Sequence, residues 1–278
     1  MNLRDRPKLG QNFLISPTAQ TAIADALGDI SQRTVVEIGP GRGAITHILA
    51  RRARRLIAIE LDPALAAQLQ ADFSDQPNVT ILRQNILATD LAALAREAHA
   101  EPEARGDSER FSPLLIVGNL PYYITSDILL HLFAAHRAIE RAVVMIQREV
   151  ADRVAAQPSS RDYGLLSVTA QLYAQVEKLF TLPPGAFSPP PQVHSSVLRL
   201  TMQPRFEELG IDPEAFTGFM RGCFAQKRKT LTNNLRAAGH EPDAIAAAFT
   251  ACDVAPQVRA EQLDPEALAR LYCRFRDH

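Results

Sequence analysis

Short apolar, β-branched runs alternate with longer stretches of mixed pattern over the first two-thirds of the chain. Five runs read as strands: Thr34-Val35-Val36-Glu37-Ile38, Leu56-Ile57-Ala58-Ile59, Val79-Thr80-Ile81-Leu82, Leu114-Leu115-Ile116-Val117 and Ala142-Val143-Val144-Met145-Ile146. The stretches between and after them predict helices over 19–27, 44–51, 64–72, 87–98, 126–136 and 148–156. Ser16-Pro17 and Asp62-Pro63 are start signals, a capping side chain followed by proline in the first turn. Alternation of this kind lays strands side by side in an α/β sheet. Residues 176–182 and 197–201 read as a final strand pair. Residues 100–112, charged and poor in apolar side chains, read as a solvated, mobile loop. From about Pro204 strands vanish, and Asp212-Pro213, Asp243 and Asp264-Pro265 each look like a helix start. Two domains follow from this pattern: 1–203, built on the sheet, and 204–278, small and helical.

The candidate chemistry sits where strands end. The run closing at Val117 stops abruptly at Gly118-Asn119-Leu120-Pro121-Tyr122-Tyr123. Ligands of open α/β sheets bind at that carboxyl edge. These residue types suit transfer to a planar amine. The exocyclic amine of adenine is a poor nucleophile because its lone pair is delocalised into the ring. Two acceptors, the side-chain oxygen of Asn119 and the carbonyl of Leu120, would draw the nitrogen toward a pyramidal geometry and free that pair. Pro121 fixes the backbone and removes a competing donor. Tyr122 offers a flat face on which a base can stack, worth roughly 1–3 kcal/mol. Taken alone, the stretch reads equally as a strand-to-loop turn followed by packing aromatics.

The upstream turn changes that balance. The first strand runs into Gly39-Pro40-Gly41-Arg42-Gly43, where glycines permit close ligand approach and a following helix offers free N–H groups. About twenty residues on, Glu60 closes the second strand, where an acidic side chain can accept from both ribose hydroxyls. The pair indicates a nucleoside-bearing ligand. Its glycine spacing departs from the G-x-G-x-x-G of dinucleotide sites. Glu37, just before the loop, is awkward for a pyrophosphate and suited to a cation, which favours S-adenosylmethionine over NAD. Asn85 sits at the same sheet edge, as a contact to an adenine amine or as a plain turn residue. Residues 8–14 are a lead-in or a flap over a nucleoside. The five-proline loop between the last two strands presents Phe187, either as a second aromatic wall for a target base or as a core plug.

With 278 residues and a net charge of -1, the chain is no polycation, so nucleic-acid contact requires local clustering. Residues 217–240 hold no acidic side chain but carry Arg221, Lys227, Arg228, Lys229 and Arg236. Thr230, Thr232, Asn233 and Asn234 add groups that reach phosphates. This favours a nucleic-acid surface over a merely solvated face. Cys223, Cys252 and Cys273 lie far apart with no metal-ligand spacing, which points to a reduced, cytosolic setting and no metal. The first residues lead into no long apolar segment, so neither a signal peptide nor a membrane span is expected.

Gly10-Gln11-Asn12-Phe13-Leu14, Glu37-Ile38-Gly39-Pro40-Gly41, Asn119-Leu120-Pro121-Tyr122, the loop from Phe187 to Ser195 and the run Gln226-Lys227-Arg228-Lys229-Thr230 together carry a resemblance. Across nearly its whole length the chain resembles the rRNA adenine dimethyltransferase family of S-adenosylmethionine enzymes. It is most similar to members that dimethylate two neighbouring adenosines near the end of small-subunit rRNA. The resemblance implies a Rossmann-like methyltransferase fold, a mostly parallel seven-stranded sheet with helices on both faces, plus a small all-α C-terminal domain. It implies cofactor contacts from Asn12, Leu14, Gly39, Gly41, Glu60, Asn85 and Asn119, and catalysis by Asn119, Leu120, Pro121 and Tyr122. Substrate contacts would come from Tyr122, Phe187, Arg221, Lys227, Arg228 and Lys229. Partners would be the rRNA of a pre-mature 30S particle, engaged by a cytoplasmic monomer with a role in small-subunit biogenesis. Two positions depart from the family: Asn85 stands where Asp is usual, keeping an acceptor but losing the charge, and Tyr123 stands where a polar residue is common. A methyltransferase for another RNA or for DNA, a dehydrogenase on the same topology, and a non-enzymatic RNA-binding or ribosome-assembly factor of the same fold are the rival readings.

Overall fold

The computed structural model describes residues 12–99 and 113–276. The loop expected over 100–112 and the first part of the 8–14 segment lie outside those residues. The described residues form nine strands: β1 (Phe13–Leu14), β2 (Thr34–Ile38), β3 (Arg55–Glu60), β4 (Val79–Arg83), β5 (Leu114–Asn119), β6 (Ile139–Gln147), β7 (Ala174–Leu182), β8 (Phe187–Ser188) and β9 (Ser195–Met202). Seven form one sheet in the order β4-β3-β2-β5-β6-β9-β7, and β1 and β8 form a separate two-stranded ribbon. Neighbours among β2 to β6 run parallel, whereas β9 is antiparallel to β6. The mostly parallel seven-stranded sheet that the resemblance implies is the sheet observed.

Chain order explains where a ligand can enter. From β2 the chain moves outward through β3 to β4, then returns to place β5 on the other side of β2. The turns leaving β2 and β5 therefore diverge to opposite sides and open a crevice at the carboxyl ends of these two strands. Strand burial suits the position: Val35, Val36, Leu115, Ile116 and Val117 are all buried, as expected of strands covered on both faces.

Local signals set most helix starts. Ser16 accepts from the Ala19 N–H and Asp62 from those of Ala64 and Leu65, each with proline at the next position. The helix expected over 44–51 is shorter, Thr46–Ala50, because Gly39, Gly41 and Gly43 all take positive φ and hold the preceding chain in turns. That expected over 87–98 divides into a 3-10 turn, Ile86–Ala88, and a helix, Leu91–His99. Thr89 is extended between them, and Asp90 restarts the helix by accepting from the Ala93 N–H.

The structure divides differently from 1–203 and 204–278. One unit runs to Ala151 and takes in Glu177–Met202; the other comprises Asp152–Val176 and the chain from Gln203. The segment 152–176 joins the helical unit because Tyr163, Val168 and Leu172 bury into one cluster with Phe206, Phe216, Met220 and Leu268. A second cluster of that unit gathers Leu231, Leu235, Ile245, Phe249 and Leu271. Helices start at Pro213, Pro242 and Pro265, so Asp243 lies in a first turn and does not cap. No helix among the described residues is long and apolar enough to cross a membrane.

Candidate active site

At the crevice the two strand ends meet closely. Ile38 and Gly118 are register partners, and a Cβ on Gly118 would stand 2.7 Å from the Ile38 carbonyl oxygen. Only glycine lets β5 lie this near β2. Between the turns is a cavity of about 370 Å³, within the range of small-molecule sites. All the residues expected at the cofactor (Asn12, Leu14, Gly39, Gly41, Glu60, Asn85 and Asn119) line it, as do Leu120, Pro121 and Tyr122.

Asn119 is held by a contact the sequence did not disclose. Its Nδ2 donates to the backbone carbonyl of Asn12 at 3.0 Å. A carbonyl can only accept, so the amide must turn its nitrogen toward Asn12, which leaves Oδ1 as the acceptor end at the cavity. Leu120 is almost wholly buried, its N–H bonded to the Met145 carbonyl. The Thr125 hydroxyl donates to the Pro121 carbonyl and braces the turn. The Tyr122 hydroxyl lies 2.7 Å from Oγ of Ser195, a buried residue at the start of β9. Ser195 thus fixes the tilt of the Tyr122 ring, a role no local pattern signals.

The two glutamates differ in how they are satisfied. Glu60 Oε2 accepts from the Gly41 N–H at 3.0 Å and Oε1 from the Asp62 N–H at 2.8 Å. Burial raises its carboxyl above the usual range, and these N–H groups work against that rise. Each oxygen keeps a lone pair for a further donor. Glu37 is 2 % exposed, and its Oε2 has no hydrogen-bond partner. Burial pushes its carboxyl up to about 7, opposed by the nearby Thr46 hydroxyl and raised further by the charge of Glu60. A buried acceptor without a partner is expensive unless something else supplies it.

Asn85 keeps both of its sequence readings. Its Oδ1 accepts from the Leu87 N–H and caps the 3-10 turn, while the residue stays exposed at the cavity. Phe187 does not: it is 2 % exposed, a member of the sheet unit's core, and absent from the cavity wall. Pairing of β8 with β1 places it opposite Leu14, and its ring plugs the core. The second aromatic wall expected of it is not there. Arg42, whose guanidinium lies 4.3 Å over the Phe13 ring, lines the cavity and was not anticipated.

Comparison with known proteins fits this geometry. The family model described as ribosomal RNA adenine dimethylase matches residues 2–277. The chain belongs to the ribosomal RNA adenine dimethylase family. It is 61% identical over 99% of its length, and 92% of the relative's, to a protein of Acidobacterium capsulatum named ribosomal RNA small subunit methyltransferase A. A protein of the same name from Koribacter versatilis is 54% identical over 98% of this chain and 94% of its own length. Among solved structures, a 23S rRNA methyltransferase, ErmE, is 27% identical with TM-score 0.68 over 95% of this chain and 99% of that one. A dimethyladenosine transferase from Plasmodium falciparum, 21% identical, shares the fold with TM-score 0.77 over 95% and 98%.

S-adenosylmethionine is the cofactor of ribosomal RNA adenine dimethylases, and the residues present fit it. Gly41, at φ +60°, leaves open a space that a Cβ would close to 3.1 Å from the Phe13 ring. Glu60 retains acceptor capacity for a diol, and the unpartnered Glu37 oxygen suits a cationic group.

The basic residues expected to contact rRNA, Arg221, Lys227, Arg228 and Lys229, fall in the helical unit of this dimethylase. Arg221 lies in the last turn of the helix Pro213–Cys223, and Lys227, Arg228 and Lys229 follow in an exposed turn. Lys227 Nζ donates to the Arg161 carbonyl at 2.9 Å. Asn234 is buried beneath the turn, its Nδ2 donating to the carbonyls of Cys223 and Gln226. Thr230 caps the next helix and Thr232 donates to the Pro256 carbonyl. Of the four polar residues expected to reach phosphates, these three serve the fold, and Asn233 alone of them has an exposed side chain.

Proposed function

We propose that this dimethylase converts two adjacent adenosines of small-subunit rRNA to their N6,N6-dimethyl forms within a pre-mature 30S particle, as a cytoplasmic monomer contributing to small-subunit biogenesis. The observation that carries the reading is the orientation of Asn119. Its amide nitrogen is committed to the Asn12 carbonyl, so its oxygen is the end presented where a target amine would enter.

When bound, S-adenosylmethionine supplies an electrophilic methyl group. Asn119 Oδ1 and the Leu120 carbonyl accept the two hydrogens of the adenine amine and hold its lone pair out of conjugation. Tyr122, its hydroxyl on Ser195, gives the base a fixed face to stack against. Holding donor and acceptor in near-attack geometry can supply roughly 7–11 kcal/mol of barrier lowering. The methylated nitrogen is acidic enough to lose its proton to water. Glu60 takes the ribose hydroxyls and Glu37 the cationic end of the cofactor. After one transfer a single N6 hydrogen remains, so the second round relies on one of the two acceptors. Arg221, Lys227, Arg228 and Lys229 attract rRNA phosphates without reading sequence.

Labelled S-adenosylmethionine, offered with small ribosomal subunits that lack this modification, tests the reading. Label is expected in N6,N6-dimethyladenosine at two neighbouring positions. Binding without transfer would favour an assembly factor, and label in another nucleoside or another RNA would overturn the substrate assignment.

A further inference from the structure

Among the described residues, five large apolar side chains stand out as exposed: Ile15, Leu61, Tyr123, Leu130 and Val193. Three of them, Ile15, Leu61 and Tyr123, line the cavity that holds Asn119 and Tyr122. Exposed apolar surface gathered at a single mouth marks a place where something apolar is received. Tyr123 is the largest of the three and the most exposed, at 62%.

Backbone geometry separates the two tyrosines. Tyr122–Ile124 is a 3-10 turn, in which successive side chains point about 120° apart. Tyr122 is directed at Ser195, so its ring is a fixed wall. No described residue holds the Tyr123 hydroxyl, and its ring stands at the entrance. An aromatic face that is wet, unheld and one residue from the catalytic turn is suited to a planar group that arrives with the substrate.

We propose that Tyr123 is a stacking platform for the nucleobase adjacent to the target adenine. The inference rests on the reading of Asn119-Leu120-Pro121-Tyr122 as the target site of an rRNA adenine dimethylase. Because the two substrate adenosines are neighbours, the base held on Tyr123 is the second substrate while the first occupies the pocket. A base removed from its own stack regains part of that stacking on a tyrosine ring, which is worth about tenfold or more in affinity. Ile15 extends the same apolar rim and shields one edge of the stacked base.

The test is a cycle between protein and RNA. Wild type, Tyr123→Ala and Tyr123→Phe are assayed on small subunits reconstituted with either the natural rRNA or one carrying an abasic nucleotide beside the target adenosine. Wild type and Tyr123→Phe should each lose about tenfold in kcat/KM on the abasic substrate. Tyr123→Ala should already be about tenfold weaker on natural rRNA and lose little more on the abasic one, with its thermal midpoint unchanged. Equal abasic losses in all three proteins would overturn the platform while leaving the dimethylase reading intact. Absence of any transfer by wild type to natural rRNA would overturn that reading and the platform with it.

Discussion

In the sheet unit, Asn119, Glu60 and Tyr122 are each tied by hydrogen bonds of 3.0 Å or less to Asn12, Gly41, Asp62 and Ser195. In the helical unit, Arg221, Arg228 and Lys229 stand exposed, and no described residue pairs with their side chains; Lys227 alone touches a carbonyl. The contrast follows from what each region must do. Orienting a lone pair requires an acceptor placed to a few tenths of an ångström, so every atom that aims it is itself fixed. Attracting phosphate requires only charge within a Debye length of about 8 Å, which mobile side chains supply as well as rigid ones. The fold reflects this: Asn234 is buried to shape the turn, while the charges on that turn stand exposed.

Breaking the fixed region should have the largest effect. Asn119→Ala is expected to lower kcat by about 10²–10³, the range seen when one preorganised polar group is removed from a site. Wild-type turnover in that variant would show that the aimed amide is not part of the chemistry.

Glu37 gives the fixed region a pH dependence. Its carboxyl has an ordinary value of 4.5 and is raised to about 7 in the folded chain, so the folded state holds the proton across that window. Its contribution to stability is complete below about 4.5 and is lost as pH rises through 7. The loss amounts to roughly 3 kcal/mol. Glu37→Gln, neutral throughout, should therefore gain on wild type by about that amount between pH 4.5 and 8 in denaturant melts. A pH-independent difference would mean that Glu37 titrates normally.

Charge removal in the exposed basic turn should act more weakly and in a different coordinate. Replacing Lys227, Arg228 and Lys229 together with Ala should reduce the slope of log affinity against log salt by about 2, at roughly 0.7 per single-strand phosphate contact. The kcat at saturating rRNA should hardly change. An unchanged slope with a lower kcat would invert the roles assigned to the two units.

The smallest effect is expected where one fixed residue acts through another. Ser195→Ala and Tyr122→Phe each remove one side of a single hydrogen bond, worth about 1 kcal/mol. Each should raise KM for rRNA severalfold, and the double variant should be no worse than the poorer single. Additive losses would separate Ser195 from the tilt of the ring.

What was legible in the sequence is what local pattern encodes. The apolar runs located β2 to β6 to within a few residues, and Ser16-Pro17 and Asp62-Pro63 located helix starts. Glycine and proline punctuation placed the two strand-end turns, and the resemblance joined them into one site. Long-range partners were not legible. Asn12 and Asn119 are 107 residues apart, and Tyr122 and Ser195 are 73. Nothing near either member predicts the other. The unit boundary failed for the same reason: the helix Leu165–Tyr173 carries no mark of the Phe206 and Leu268 side chains it packs against. For Phe187 the proline-rich loop left an aromatic wall and a core plug both open, and the β1–β8 pairing, which turns that ring inward, decides for the plug.

Catalysis as proposed depends on Asn119 Oδ1 and the Leu120 carbonyl converging on the target amine. The most direct measurement is a crystal structure of the protein with adenosine and a non-reactive analogue of S-adenosylmethionine. Both oxygens should lie within about 3 Å of N6, with the Asn119 amide nitrogen still on the Asn12 carbonyl. An adenine seated with N6 toward another group, or an Asn119 amide turned over to present its nitrogen, would contradict it.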